Sequence, residues 1–154
     1  MKKDICLQDM EERYVDDLVD IINTDERLRE ALGSKEKTTT REEFESTIEQ
    51  WQIRTNSKTF AIVLSHKAIG TISLGHINEA ENIAEVGYWI GSSYWNNGYT
   101  TEAFDQIMDL ARELKIKLIT ASIKKDNIAS KIIWEKFNSE FEEDGERFYP
   151  KINL

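Results

Sequence analysis

The 154-residue chain predicts an α+β fold, with a mixed, mostly antiparallel central sheet flanked by helices. Three observations carry that expectation. Residues 59–91 hold three consecutive β-rich runs separated by short polar turns. Helical periodicity lies on both sides of those runs. The only proline is Pro150, so no helix or strand before it is interrupted. The length suits one core rather than two, and residues 1–154 are expected to form a single domain.

Each element follows from its local pattern. Ile5–Leu7 reads as a short strand. Asp9 followed by Glu12 reads as a helix start, its carboxylate capping free backbone amides. Tyr14, Val15, Leu18, Val19, Ile21 and Ile22 supply that helix's apolar stripe. A short helical segment carries Leu28 and Leu32 and stops at Gly33. Ser34–Thr40 is the most polar stretch and is expected to be a connecting loop. Thr40 with Glu43 is a second capping pattern, opening a helix whose face carries Phe44, Ile48 and Trp51. Thr59–Leu64, Ala68–Ile77 and Ile83–Gly91 are then expected as an antiparallel meander, turning at Ser65-His66-Lys67 and at Asn78–Asn82. A loop, Ser92–Gly98, leads into an amphipathic helix with Ala103, Phe104, Ile107, Met108, Ala111 and Leu114 on its apolar face. Leu118–Ile123 predicts a buried strand and Asn127–Phe137 a helix. Asp144-Gly145 between Phe141 and Phe148 predicts the last hairpin.

Composition narrows the function. With 20 Lys and Arg against 29 Asp and Glu the net charge is −9, so no basic face is available for nucleic-acid phosphates and no nucleic-acid partner is expected. An acidic surface favours cationic partners such as amines or basic peptides. The single cysteine, Cys6, excludes an internal disulfide and a cysteine metal cluster, and it is expected to be a buried strand residue. His66 and His76 have no ligand-spaced partners in sequence, so no metal site is expected. Met1-Lys2-Lys3-Asp4 lacks the apolar core of a leader, and no run approaches membrane-spanning length. The expectation is a cytoplasmic protein without a membrane partner, as monomer or homodimer.

The chemistry concentrates in Ala84-Glu85-Val86-Gly87-Tyr88-Trp89-Ile90-Gly91 and Tyr94-Trp95-Asn96-Asn97-Gly98-Tyr99-Thr100-Thr101-Glu102-Ala103. A strand that turns through a loop into a helix N-terminus presents unpaired N–H groups at the positive end of the helix dipole, a setting for a pyrophosphate. Gly98 permits a close backbone approach. A plain turn before a helix accounts for the same residues equally well. No Gly-Lys-Ser/Thr follows, so this is not a nucleotide-hydrolysing P-loop.

These blocks, with Asn127-Ile128-Ala129-Ser130 in the same order, resemble the GNAT N-acetyltransferases, particularly the RimJ/RimL-like branch, from about Thr59 to Gly145. The resemblance implies acetyl-CoA as co-substrate, no metal, and direct transfer of the acetyl group to a primary amine, either a protein N-terminus or a small amine. It implies pantetheine between Ile83–Gly91 and Leu118–Ile123, held by backbone around Trp89, Ile90 and Gly91. Asn96, Asn97, Gly98, Tyr99, Thr100 and Thr101 would surround the pyrophosphate. Trp95 stands where the family's loop starts with Gln or Arg. Asn127 and Ser130 would meet the cofactor arm, although a helix cap also explains Asn127. Lys124, Lys125 and Lys131 would meet the 3′-phosphate, although surface lysines also read as solubilising charge alone. Glu85, two and four residues before Gly87 and Trp89, is the expected base or cation-binding carboxylate. The family's leaving-group tyrosine is matched by Trp134, which has no hydroxyl, so that acid is either missing or replaced by Ser130, Tyr99 or water. The alternative is an acyl-CoA-binding regulatory or interaction domain without turnover, motivated by Trp95 and Trp134.

Overall fold

The structure, a computed structural model, describes residues 4–33 and 38–154. An eight-stranded sheet runs through it in the order β1-β2-β3-β4-β5-β8-β6, with β7 paired to β8. The strands are β1 (Ile5–Gln8), β2 (Lys58–Leu64), β3 (Lys67–Asn78), β4 (Ile83–Ile90), β5 (Leu118–Thr120), β6 (Ile123–Lys124), β7 (Glu140–Glu143) and β8 (Arg147–Asn153). The helices are α1 (Glu12–Thr24), α2 (Glu26–Ala31), α3 (Arg41–Thr55), α4 (Tyr99–Glu113) and α5 (Ile128–Lys136), with a 3-10 turn at Ser92–Tyr94. Every strand pair is antiparallel except β4 with β5.

Strand alternation divides the core between the two faces. Ile62, Ile72, Leu74, Ala84, Val86, Ile90 and Ile119 pack with Phe104, Ile107 and Ala111 of α4 and Trp134 of α5. Ala61, Val63 and Ala68 pack instead with Tyr14, Val15 and Leu18 of α1 and Phe44 of α3. The meander forms as its sequence predicts. Ser65 and His66 both take positive φ (48° and 70°), the geometry of a two-residue hairpin turn matched to sheet twist. Thr40 caps α3 through a bond from the Glu43 N–H (3.2 Å).

Three details differ from the sequence reading. The N-cap of α1 is Glu11 rather than Asp9, and it makes no side-chain cap. The Asp9 carbonyl instead accepts the Glu11 N–H, while the Glu11 carboxylate turns to Arg13. Cys6 is exposed, because the alternation of edge strand β1 turns Ile5 and Leu7 inward and Cys6 out. Leu118–Ile123 is two short strands, β5 and β6, which pair with successive parts of β8. Of the loop expected at Ser34–Thr40, residues 34–37 lie outside the described residues, and 38–40 have no regular structure.

Candidate active site

The parallel pairing of β4 with β5 is short: Ile83 with Leu118, Ala84 with Ile119 and Glu85 with Thr120. Beyond Glu85 the two chains part, because β6 follows β8 while β4 stays on β3 as far as Ile90. The Gly91 N–H donates to Ile69 (2.8 Å). By alternation, the backbone polar groups of Val86, Tyr88 and Ile90 therefore point into the gap between β4 and β5. One of them is already engaged, since the Trp95 indole N–H donates to the Ile90 carbonyl (2.9 Å). The gap thus offers an open strand edge without a neighbouring strand.

Next to it lies the N-terminus of α4. Gly98 is its N-cap at φ +80° and supplies no side-chain cap, so the first-turn N–H groups of Tyr99, Thr100 and Thr101 project forward at the positive end of the helix. A Cβ built on Gly98 would meet nothing within 4 Å, which leaves room above the turn. Asn96 also has positive φ (64°). The Asn97 side chain is spent on the loop itself, donating to the Tyr94 and Trp95 carbonyls (both 3.0 Å).

The start of α2 braces this loop. Asp25 accepts bonds from the Ser92 N–H (2.6 Å) and hydroxyl (2.7 Å), and the Arg27 guanidinium lies over the Trp95 ring at 4.9 Å. Burial opposes ionisation of Asp25, but the bonds from Ser92 and Leu28 outweigh it and hold the carboxyl below its ordinary range. Arg27 brings positive charge to a loop whose first position holds a neutral Trp.

On the other side stands α5. Asn127 caps it, accepting from the Ser130 N–H (3.2 Å), so the plain cap reading of this residue holds in the structure. Ser130 is buried, and its hydroxyl meets the Tyr88 hydroxyl at 2.5 Å, joining α5 to β4. Burial pushes the Tyr88 phenol up, against the opposing influence of Ser130 and Trp134. Trp134 is fully buried, and its indole N–H meets no acceptor in hydrogen-bond geometry among the described residues. Lys125 pairs with Glu143 and Lys131 with Glu135, while Lys124 is exposed.

The opposite face carries Glu85, Gly87 and Trp89. Trp89 packs against the α1 cluster, while Glu85 stands open with its side chain 56% exposed. Among the described residues, the cation-forming group paired with it is His76, whose Nε2 lies 3.8 Å from its carboxylate. The sequence reading did not single out Tyr88, Asp25, Arg27 or His76. For His76 the sequence signal points elsewhere: pairing back from the Asn78–Asn82 turn sets Gly75, not His76, opposite Glu85. Among the described residues no three His, Cys, Asp or Glu side chains converge, and no helix is long and apolar enough to cross a membrane.

The model of the acetyltransferase (GNAT) domain family matches residues 4–139. A coenzyme A complex of RimL, a ribosomal L7/L12 alpha-N-protein acetyltransferase, superposes with TM-score 0.86 at 17% identity, over 99% of this chain and 96% of that one. Microcin C7 self-immunity acetyltransferase MccE, solved with acetyl-CoA and AMP, gives 0.84 at 18% identity, over 99% and 94%. At such identities the likeness is one of fold. The uncharacterized N-acetyltransferase p20 of Bacillus licheniformis is 28% identical over 74 residues, 46% of this chain and 42% of that protein, so the match spans less than half of that relative.

Proposed function

Because the chain belongs to the acetyltransferase (GNAT) family, we propose that it transfers an acetyl group from acetyl-CoA to a primary amine, a protein N-terminus or a small amine. One observation carries this reading: the free edge of β4 beyond Glu85 opens beside the uncapped N-terminus of α4. An extended amide-bearing arm fits the first, and a diphosphate fits the second. Acetyl-CoA supplies both, together with a thioester ready for acyl transfer.

The chain's own groups bind and orient. The Tyr88 and Ile90 N–H groups are directed into the gap and meet the arm. Trp89 and the Gly91 N–H turn their backbone groups to β3, so the sequence expectation that those two hold it is replaced by their neighbours. One of the two N–H groups in the gap is placed to stabilise negative charge developing on a carbonyl oxygen. Backbone amides from Asn96 to Thr101 receive the phosphates, and Trp95 holds the loop to β4 and carries Arg27. Asn127 sets the start of α5 and, through it, Ser130. With Tyr88 as the donor in its bond to Ser130 and burial keeping the phenol protonated, the serine hydroxyl relays the proton that the attacking nitrogen sheds to the departing thiolate. Trp134 fills core rather than the site, so its place at the family's tyrosine position removes an acid without blocking the gap. Glu85 faces the acceptor side.

Calorimetry with coenzyme A and acetyl-CoA, followed by thiol release with an amine panel, tests the reading. Binding together with amine-dependent thiol release is expected; absence of binding would overturn it, and binding without release would leave a module that holds acyl-CoA and does not turn over.

A further inference from the structure

His76 occupies a backbone conformation that histidine seldom adopts, and the structure holds it there with several bonds. Its φ is +48°. The β3–β4 register shifts between Gly75 and Asn78, so His76 and Ile77 together oppose Ala84, the mark of a β-bulge. The end of α3 pins this bulge. The His76 N–H donates to the hydroxyl of buried Ser57 (3.0 Å), which is bonded in turn to Thr55 (2.6 Å). Ile77 donates to the Asn56 carbonyl (3.0 Å) and accepts from the Asn56 side chain (2.8 Å). The Trp51 ring lies over Gly75, whose added Cβ would come within 3.2 Å of it, and meets the imidazole edge-on at 6.3 Å. Gly75 is the cross-strand partner of Glu85. An unbulged strand would alternate His76 away from the face that carries Gly75 and Glu85. The bulge re-aims it, and imidazole and carboxylate stand 3.8 Å apart, both 56% exposed on the side chain.

An amine acceptor arrives as an ammonium ion and must lose a proton before its nitrogen can attack. Imidazole is the side chain whose ordinary titration falls between pH 5 and 8, so it accepts that proton near neutrality where a lone carboxylate does so poorly. We propose that His76 and Glu85 act as a pair, the imidazole taking the ammonium proton and the carboxylate stabilising the imidazolium. This rests on the transferase reading above. The amine lone pair then forms the C–N bond to the thioester carbonyl carbon and the C–S bond breaks. The second nitrogen proton goes to the thiolate by way of Ser130, and the imidazolium releases its own to solvent. The charged groups around His76 are Glu85 across the strand pair, Arg54 and Glu79 in the depression on its other side, and Lys151, two strands beyond Glu85 and paired with Glu142.

The test uses the full chain, acetyl-CoA and three acceptors: spermidine, a short peptide with a free N-terminal serine, and methoxyamine, whose nitrogen is already unprotonated at neutral pH. His76→Gly suits the positive φ and should lower kcat/KM for the protonated acceptors about 100-fold, the low end of a general base's contribution. Added imidazole should restore part of the rate, and the methoxyamine rate should change far less. His76→Asn, also at ease in this conformation, serves if the glycine variant is unstable. Glu85→Gln should slow the same acceptors and add little in combination with His76→Gly. The acid limb of the pH profile should change in the His76 variants. An active wild type with His76 variants at full rate overturns the pair and leaves the transferase reading standing. A wild type inactive with every acceptor overturns both.

Discussion

At the scale of single residues, Gly70 shows how tightly the site's strand is held. A Cβ there would lie 2.2 Å from the Trp89 carbonyl oxygen and 2.8 Å from the Ile90 Cα, both backbone atoms that cannot swing aside. Gly70→Ala should therefore push β4 off β3 at the residues lining the gap. The expected result is weaker coenzyme A binding together with a lower Tm, whereas Gly145→Ala, with nothing within 4 Å of its added Cβ, should leave cofactor affinity alone. Tyr88 makes a second case. Tyr88→Phe removes the 2.5 Å partner of Ser130 and leaves the ring in place. A fall in kcat of about five- to tenfold is expected, the value of one hydrogen bond, with the calorimetric Kd for coenzyme A unchanged. A matching loss of Kd would show that the bond serves binding rather than turnover. Gly98 was legible because glycine before a helix has a local meaning. Tyr88 was not, because its partner lies 42 residues away and no pattern within β4 reveals it.

At the scale of elements, the last hairpin is built on Asp144. Its carboxylate accepts from the Tyr149 hydroxyl (2.6 Å) and from the Glu146 and Arg147 N–H groups (both 2.8 Å). The Tyr149 bond first, then the two amides, bring its pKa down to about 2. A carboxyl depressed when folded contributes stability above its ordinary value near 3.9, and that contribution disappears as pH falls through about 2. The Tyr149 hydroxyl is pushed up by the same bond, so its share is present below its ordinary value and is lost at high pH. Protection of the Glu146 and Arg147 amides, their exchange measured against the intrinsic rate at each pH, should fall on acidification from pH 4 to pH 2 in the wild type. In Asp144→Ala it should already be low at pH 7. The Asp-Gly signal marked this turn because side chain and backbone close it within a few residues. The splitting of Leu118–Ile123 had no such marker. It depends on where β8 pairs some thirty residues later, and that pairing also opens the gap beside β4. The His76 bulge is hidden for a related reason: a one-residue shift in register leaves the strand's composition unchanged.

At the scale of the whole molecule, the elements around the gap meet at one side chain. The fully buried Phe104 ring of α4 packs edge-on to Trp134 (4.9 Å between centroids), stacks on Phe137 (4.9 Å) and meets Tyr88 edge-on (6.3 Å). Helix α4 begins at the Gly98 turn, α5 carries Ser130, and β4 forms the open edge, so this ring sets the spacing among all three. Phe104→Ala should cost about 3–5 kcal/mol through lost transfer energy and a residual cavity. That is a large fraction of the roughly 5–15 kcal/mol that holds an ordinary domain together. A urea midpoint shifted downward at constant m-value is the expected signature. Because the void opens beneath Tyr88 and Trp134, the Tyr88–Ser130 bond should loosen while the protein is still folded. Turnover should then fall further than the folded fraction alone predicts. Phe104→Leu keeps most of the volume and should recover most of the stability. If it also recovers full turnover, the spacing needs only bulk at this position; if stability returns without turnover, the aromatic contacts themselves hold Tyr88 and Ser130 in register.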